Sequence, residues 1–193
     1  MVKKVFKKIW KFIWKDDSVL SWIVSFILAF LLVKFLIYPG IGLIMGTSYP
    51  IVAVVSDSME HRGLELDEWW ELQGDWYDSK GIDKEMFRDY IFLNGFNKGD
   101  IIILRGSETK DIKIGDVIVF HSTSNYPVIH RVVDKWEDDK IYHFQTKGDN
   151  NPDSHIGLNE DDIGEGRIVG RAVFKVPWLG WIKIWFSELV GIK

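Results

Sequence analysis

The chain has no cysteine. Disulfides, thiolate metal sites and cysteine nucleophiles are thereby excluded, although this absence assigns no redox compartment. Acidic residues are missing from the first fifteen positions, which instead carry Lys3, Lys4, Lys7, Lys8, Lys11 and Lys15. The formal net charge is −4, so the remainder is clearly acidic. That balance argues against nucleic acid as a partner of the main domain. Charge is also nearly missing from "SVLSWIVSFILAFLLVKFLIY" (18–38), whose single ionic residue is Lys34, near the far end where a long side chain can snorkel. No H-E-x-x-H or similarly tight ligand spacing occurs, so His121, His130, His143, His155, Asp149 and Asp153 are zinc-ligand types without a zinc-binding pattern.

What is present is apolar and aromatic. Hydrophobic residues make up 47% of the 193 and aromatics 15%, with ten Trp, a load that suits a protein meeting a membrane interface. The length leaves room for one main folded domain plus attachments. Residues 18–38 are long enough to cross a hydrocarbon core of about 20 helical residues. A cleaved leader would need a shorter apolar core and a small-residue cleavage site, and "KFLIYPG" supplies neither. The lysines before the span predict a single-pass protein in the cell membrane, with its N-terminus cytoplasmic and the rest extracytoplasmic. Within residues 1–17, apolar residues at helical spacing opposite the lysines suit a basic amphipathic helix on an anionic leaflet, and an unstructured basic tail with the same topology is the other reading.

Beyond Pro39 and Gly40 the texture changes. "IVAVV" (51–55), "DIIIL" (100–104), "DVIVF" (116–120), "VIHRVV" (128–133), "KIYHFQT" (140–146) and "RIVGRAVF" (167–174) are short, β-branched and punctuated by Gly, Asp, Asn and Pro. They predict a mostly β domain, an antiparallel sheet or barrel-like fold over 39–175. Residues 60–97 interrupt it as an acidic, aromatic insertion, with "DKEMFRDYIF" reading as a short helix; a lid, a membrane-contacting flap and a surface excursion are all open. The last segment, "VPWLGWIKIWFSELVGIK" (176–193), is apolar but charged, and its tryptophans predict an interfacial rather than a spanning helix.

The chemistry-bearing residues lie far apart. "VVSDSMEH" (54–61) leaves a strand and sets Ser58 at its edge. "PVIHRVVD" puts His130 within an apolar strand, and "TKGDNNPDSH" puts Asp149, Asp153 and His155 in a turn. Singly, these read as a polar turn, a packed histidine and a self-capping aspartate. Together they are a nucleophile, a base that takes its proton near neutral pH, and an acid that orients the base.

In this order, behind an apolar span, "SDSM", "IGDVIVF", "VIHRVV" and "TKGDNNP" resemble signal peptidase I of the archaeal and endoplasmic-reticulum type, over residues 18–60 and 98–175. The resemblance implies a serine endopeptidase with Ser58 as nucleophile, His130 as general base and Asp149 as acidic partner. It also implies an oxyanion hole from the Ser56 hydroxyl and the Ser58 backbone N–H. The implied substrates are the signal peptides of exported pre-proteins, with the lipid bilayer as support and the protein-export channel as neighbour; no cofactor, metal or nucleic acid is called for. The chain departs from the family pattern at His61, where proline is usual, and at His155, where a second aspartate is usual. Asp153 and His155 are the candidates for that second acid or its substitute. Two other readings stand beside this one: a catalytically inactive membrane-anchored scaffold, and a metal-dependent hydrolase.

Overall fold

A computed structural model describes residues 2–123 and 127–190. The chain divides into two compact units, Met1–Ile44 and Met45–Lys193, described in turn.

In the first unit, α1 (Val2–Lys15) is followed by a Ser18-capped helix α2 (Val19–Leu32), whose Ser18 side chain accepts from the Ser21 amide. The Ser21 hydroxyl, in turn, donates to the Phe12 carbonyl, tying the two helices together. The helix does not stop at residue 38. A π-helical turn (Val33–Ile37) leads into α3 (Tyr38–Met45), giving 27 continuous helical residues of mean hydropathy 2.5. Pro39 lies inside α3, where its ring would crowd the carbonyl one turn back and it has no amide hydrogen to offer. The wide turn just before it, in which the Tyr38 amide reaches back to Val33 O, lets the helix continue through the proline. Val19–Met45 spans about 40 Å, longer than the roughly 30 Å of a hydrocarbon core. Only 6% of its most apolar window is buried within the protein, so it is a helix long and apolar enough to cross a membrane.

The second unit is a seven-stranded antiparallel sheet in the order β1-β2-β7-β3-β4-β5-β6. Its strands are β1 (Ile51–Ala53), β2 (Ile101–Arg105), β3 (Val117–His121), β4 (Pro127–Asp138), β5 (Ile141–Lys147), β6 (Ile163–Gly164) and β7 (Ile168–Val176). The mostly β, antiparallel expectation is met, with β6 as a short strand that the sequence pattern did not mark. Successive side chains of β3 serve two cores. Val117 and Val119 pack with Met59, Phe96 and Leu104, while Ile118 and Phe120 pack with Val132, Phe144 and Ile163. Burial on both faces is why this strand reads as a continuous apolar run rather than an alternation.

The insertion holds two helices. Besides the expected short helix, here α5 (Lys84–Arg88), there is α4 (Leu66–Ser79). Asp67 and Glu68 favour its first turn through the helix dipole. Leu66, Trp69 and Tyr77 line its inner face and form a third buried cluster with Ile82, Phe87 and Val133 of β4. The helix rests on that aromatic packing, because an acidic 14-mer is marginal alone. At the other end, α6 (Trp181–Val190) is about 15 Å long, well short of a span. Trp178, Leu179, Ile182, Trp185, Phe186 and Leu189 are exposed on and before it. Residues 191–193 of the predicted C-terminal segment lie outside the described residues.

Candidate active site

Strand pairing assembles the site. The register of β3 on β4 sets His130 opposite Ile118, and that of β4 on β5 sets Arg131 opposite Lys147. The two residues that follow β5, Gly148 and Asp149, are thereby brought beside His130 and Arg131. His130 and Arg131 are neighbours in a strand, so they point to opposite faces.

On one face, Ser58 meets His130. The chain leaves β1 through buried Val54, turns at 56–60 and re-enters the core at fully buried Met59. Ser58 Oγ donates to His130 Nε2 at 2.9 Å. The other ring nitrogen, Nδ1, donates to Glu160 Oε1. Glu160 is fully buried, and it also accepts from Thr146 Oγ1 at 3.0 Å and from the His155 amide at 2.7 Å. Ser56 Oγ stands 3.2 Å from Ser58 Oγ. Beside the serine lies a cleft of about 270 Å³, lined by Ala53, Val55, Val128, Ile129 and Leu158 among others. It opens next to β1, an edge strand of the sheet.

Asp149 is elsewhere. Its carboxylate is fully buried on the other face of β4, where Arg131 donates Nε to Oδ1 (2.9 Å) and Nη2 to Oδ2 (2.7 Å). Tyr77 OH donates to Oδ1 and His61 Nε2 to Oδ2, both at 3.0 Å. The remaining Arg131 hydrogens go to the carbonyls of Ile91, Phe92 and Gly115, all at 3.0 Å, so all five guanidinium donors are used. Burial alone would push the Asp149 carboxyl up, but the Arg131 charge and the hydrogen bonds from His61 and Arg131 hold it well below the usual carboxylate range. Burial and the neighbouring Asp149 charge push the Tyr77 hydroxyl well above its ordinary value, so it stays a neutral donor.

The carboxylate that meets His130 is therefore Glu160, while Asp149 partners Arg131. Asp153 is exposed and accepts from Trp76 Nε1 at 2.9 Å; His155 contributes its backbone amide to Glu160. Glu160 carries no signal of its own within "LNEDDIG". It is chosen over Asp161 and Asp162 by the backbone, because the Thr146 amide donates to Glu160 O at 2.9 Å and draws that one acid inward. Among the described residues, no group of three or more His, Asp or Glu side chains is arranged to hold a metal ion.

Lys147 completes the buried centre. Its Nζ donates to the carbonyls of Gly148 (3.2 Å) and Asp149 (3.4 Å) and lies over the rings of Trp76 and Tyr77. Burial lowers it from 10.5 to about 8 against the opposing pull of Asp149. Between those two values the unfolded chain holds the extra proton, so stability rises with pH; below about 8 both states are protonated and the handicap is constant. Thermal midpoints of the wild type relative to Lys147→Met should be flat from about pH 6 to 7.5 and then shift in favour of the wild type towards about pH 10. A flat difference throughout would refute the assignment.

A serine hydroxyl on a histidine whose second nitrogen meets a buried carboxylate is the arrangement of a serine hydrolase. The chain is also similar in sequence to known proteins. It is 25% identical to the signal peptidase complex catalytic subunit SEC11 of Colletotrichum graminicola over 164 residues, 82% of this chain and 76% of the relative. It is 28% identical to SEC11 of Zygosaccharomyces rouxii over 160 residues (80% and 75%). With human SEC11C it shares 27% over 163 residues (82% and 68%). No family model matches. The chain is a homologue of signal peptidase catalytic subunits.

Proposed function

We propose that the protein is a membrane-anchored serine endopeptidase that removes signal peptides from exported pre-proteins, with Ser58 as nucleophile, His130 as general base and Glu160 as the acid that orients it. The observation that carries this reading is the hydrogen-bonded chain from Ser58 Oγ through His130 to Glu160. In the forward step His130 Nε2 takes the hydroxyl proton as Ser58 Oγ attacks the scissile carbonyl, and Glu160 stabilises the imidazolium. The Ser56 hydroxyl and the Ser58 amide are the donors for the developing oxyanion. Collapse passes the proton to the leaving amine, and water repeats the sequence to release the acyl group. The edge strand β1 beside the cleft suits an extended substrate held by main-chain bonds.

The apolar helix Val19–Met45 is the anchor. The lysines of α1 orient it with the N-terminus cytoplasmic and the catalytic unit outside, and the exposed tryptophans of the C-terminal segment suit a headgroup layer. A tethered enzyme and a membrane-inserted substrate share one surface, which shortens the search.

The test uses full-length protein in detergent and a reporter pre-protein. Glu160→Gln should lower kcat by roughly 10²- to 10⁴-fold with the fold retained, and His155→Ala, which keeps the backbone amide, should cost little. A chelator should change nothing. Full activity in Glu160→Gln would remove the glutamate from the relay, and inhibition by the chelator would favour metal-dependent hydrolysis.

A further inference from the structure

We propose that Tyr77 and His61 are positioning residues for the nucleophile, acting through Asp149, and that the 60–97 insertion is a buttress of the serine turn rather than a lid. The proposal rests on Ser58 being the nucleophile.

The insertion is not built to close over the cleft. Among the described residues, the cleft beside Ser58 is lined from 53–56, 58, 127–130, 151 and 158, with none from 60–97. The inner face of α4 looks instead at the buried ionic centre. Two of the four hydrogen bonds to the Asp149 carboxylate come from β4, through Arg131, and the other two from Tyr77 and His61. Removing either insertion donor leaves an oxygen buried with one partner fewer, and the carboxylate is free to swing towards Arg131.

That swing would be transmitted to the serine. The Asn150 amide donates to Ser58 O at 2.8 Å and its side chain to Asp57 O at 3.1 Å. Gly148, on the other side of Asp149, is pressed so close that a Cβ there would stand 2.7 Å from Ser58 O and 2.9 Å from His130 Nε2. The 148–150 loop thus touches both reacting residues, and Asp149 is its anchor.

His61 pins the same turn from its other end. Three residues after the nucleophile, its ring stacks on Trp69 of α4 at 4.1 Å and 1°. Nε2 donates to Asp149, while Nδ1 is buried without a partner among the described residues. Gly95, at the exit of the insertion, has a positive φ of 61° and lies against both Met59 O and the His61 ring, where a side chain would not fit. The Phe96 amide then donates to Met59 O at 2.8 Å. Ser58 is therefore bracketed by contacts on its carbonyl, on Met59 and on His61, and the last two come from the insertion. This gives a reason for a histidine where the resembling family usually has proline: proline could not supply the donor.

The experiment measures kcat and KM separately for full-length Tyr77→Phe, His61→Phe and His61→Gln on the reporter pre-protein, at equal folded protein, with thermal midpoints. Tyr77→Phe and His61→Phe should each lose roughly tenfold in kcat with KM unchanged within about twofold, because misplacement of a reacting group by a fraction of an ångström acts on the chemical step. His61→Gln, which keeps an N–H donor, should recover most of that loss. Unchanged kcat with a lowered midpoint would reduce both residues to structural roles and overturn the proposal. A loss confined to KM would make the insertion a substrate-contacting element and also overturn it. Undiminished cleavage by Ser58→Ala, measured alongside, would bring down the nucleophile assignment itself, a failure distinct from the other two.

Discussion

Ser58→Ala is expected to abolish cleavage of a reporter pre-protein, by roughly 10⁴-fold or more, with no loss of stability. The alanine removes the hydroxyl that forms the acyl bond in the proposed mechanism, and neighbouring Ser56 does not hydrogen-bond His130 in its place. His130 Nε2 hydrogen-bonds Ser58 Oγ at 2.9 Å, whereas Ser56 Oγ is hydrogen-bonded to Ser58 Oγ at 3.2 Å. The fold should survive because Ser58 is only partly buried and the bond its carbonyl accepts from the Asn150 amide needs no side chain. Thermal midpoint and resistance to trypsin should match the wild type while product formation disappears. If the variant cleaves at an appreciable rate, the nucleophile is another group. If the wild type is inert on competent substrates, a scaffold role becomes the better account.

Asp149→Ala should behave in the opposite way, failing in stability before it fails in chemistry. It leaves the fully buried Arg131 guanidinium without its counter-charge and takes the acceptor from Tyr77 and His61. Breaking a buried pair by removing one partner costs about 3–5 kcal/mol, against a typical total of about 5–15 kcal/mol. The thermal midpoint in detergent should fall steeply, and the protein should become sensitive to trypsin at moderate temperature. Replacing both partners with apolar residues, as in Arg131→Met with Asp149→Leu, should recover part of that loss, since an unpaired buried charge is what makes the single change severe. A stable, well-folded Asp149→Ala with a thermal midpoint equal to the wild type's would refute the claim that this carboxylate balances a buried Arg131 charge.

The two aspartate readings show where sequence reasoning reached its limit. The turn after β5 was recognisable as a place for an acid, and the β-branched runs marked six of the seven strands, because pleated, buried segments demand such residues wherever they occur. Nothing in "TKGDNNP" says that its carboxylate will find Arg131 rather than His130. That depends on adjacent residues of β4 facing opposite ways and on the register that sets Arg131 against Lys147. Glu160 was illegible for a related reason. It stands in a run with Asp161 and Asp162, and the backbone bond from Thr146 turns it inward. The helix α4 was hidden as well, since the acidic, aromatic run left a lid, a flap and a surface excursion open, and its aromatic spacing becomes meaningful only against Val133 and Phe87.

By itself, the sequence determined the class of the protein. An apolar run able to cross a bilayer, a lysine-rich N-terminal segment and a β-rich body are local properties, written in composition, period and spacing, and the ordered serine and histidine motifs add the resemblance to signal peptidase I. Only the tertiary structure decided which carboxylate meets the histidine, which one balances Arg131, and that the insertion faces the ionic centre instead of the cleft. Those are choices among chemically similar groups, settled by strand register and burial, where contacts between residues distant in the chain determine which charge is paired and with what.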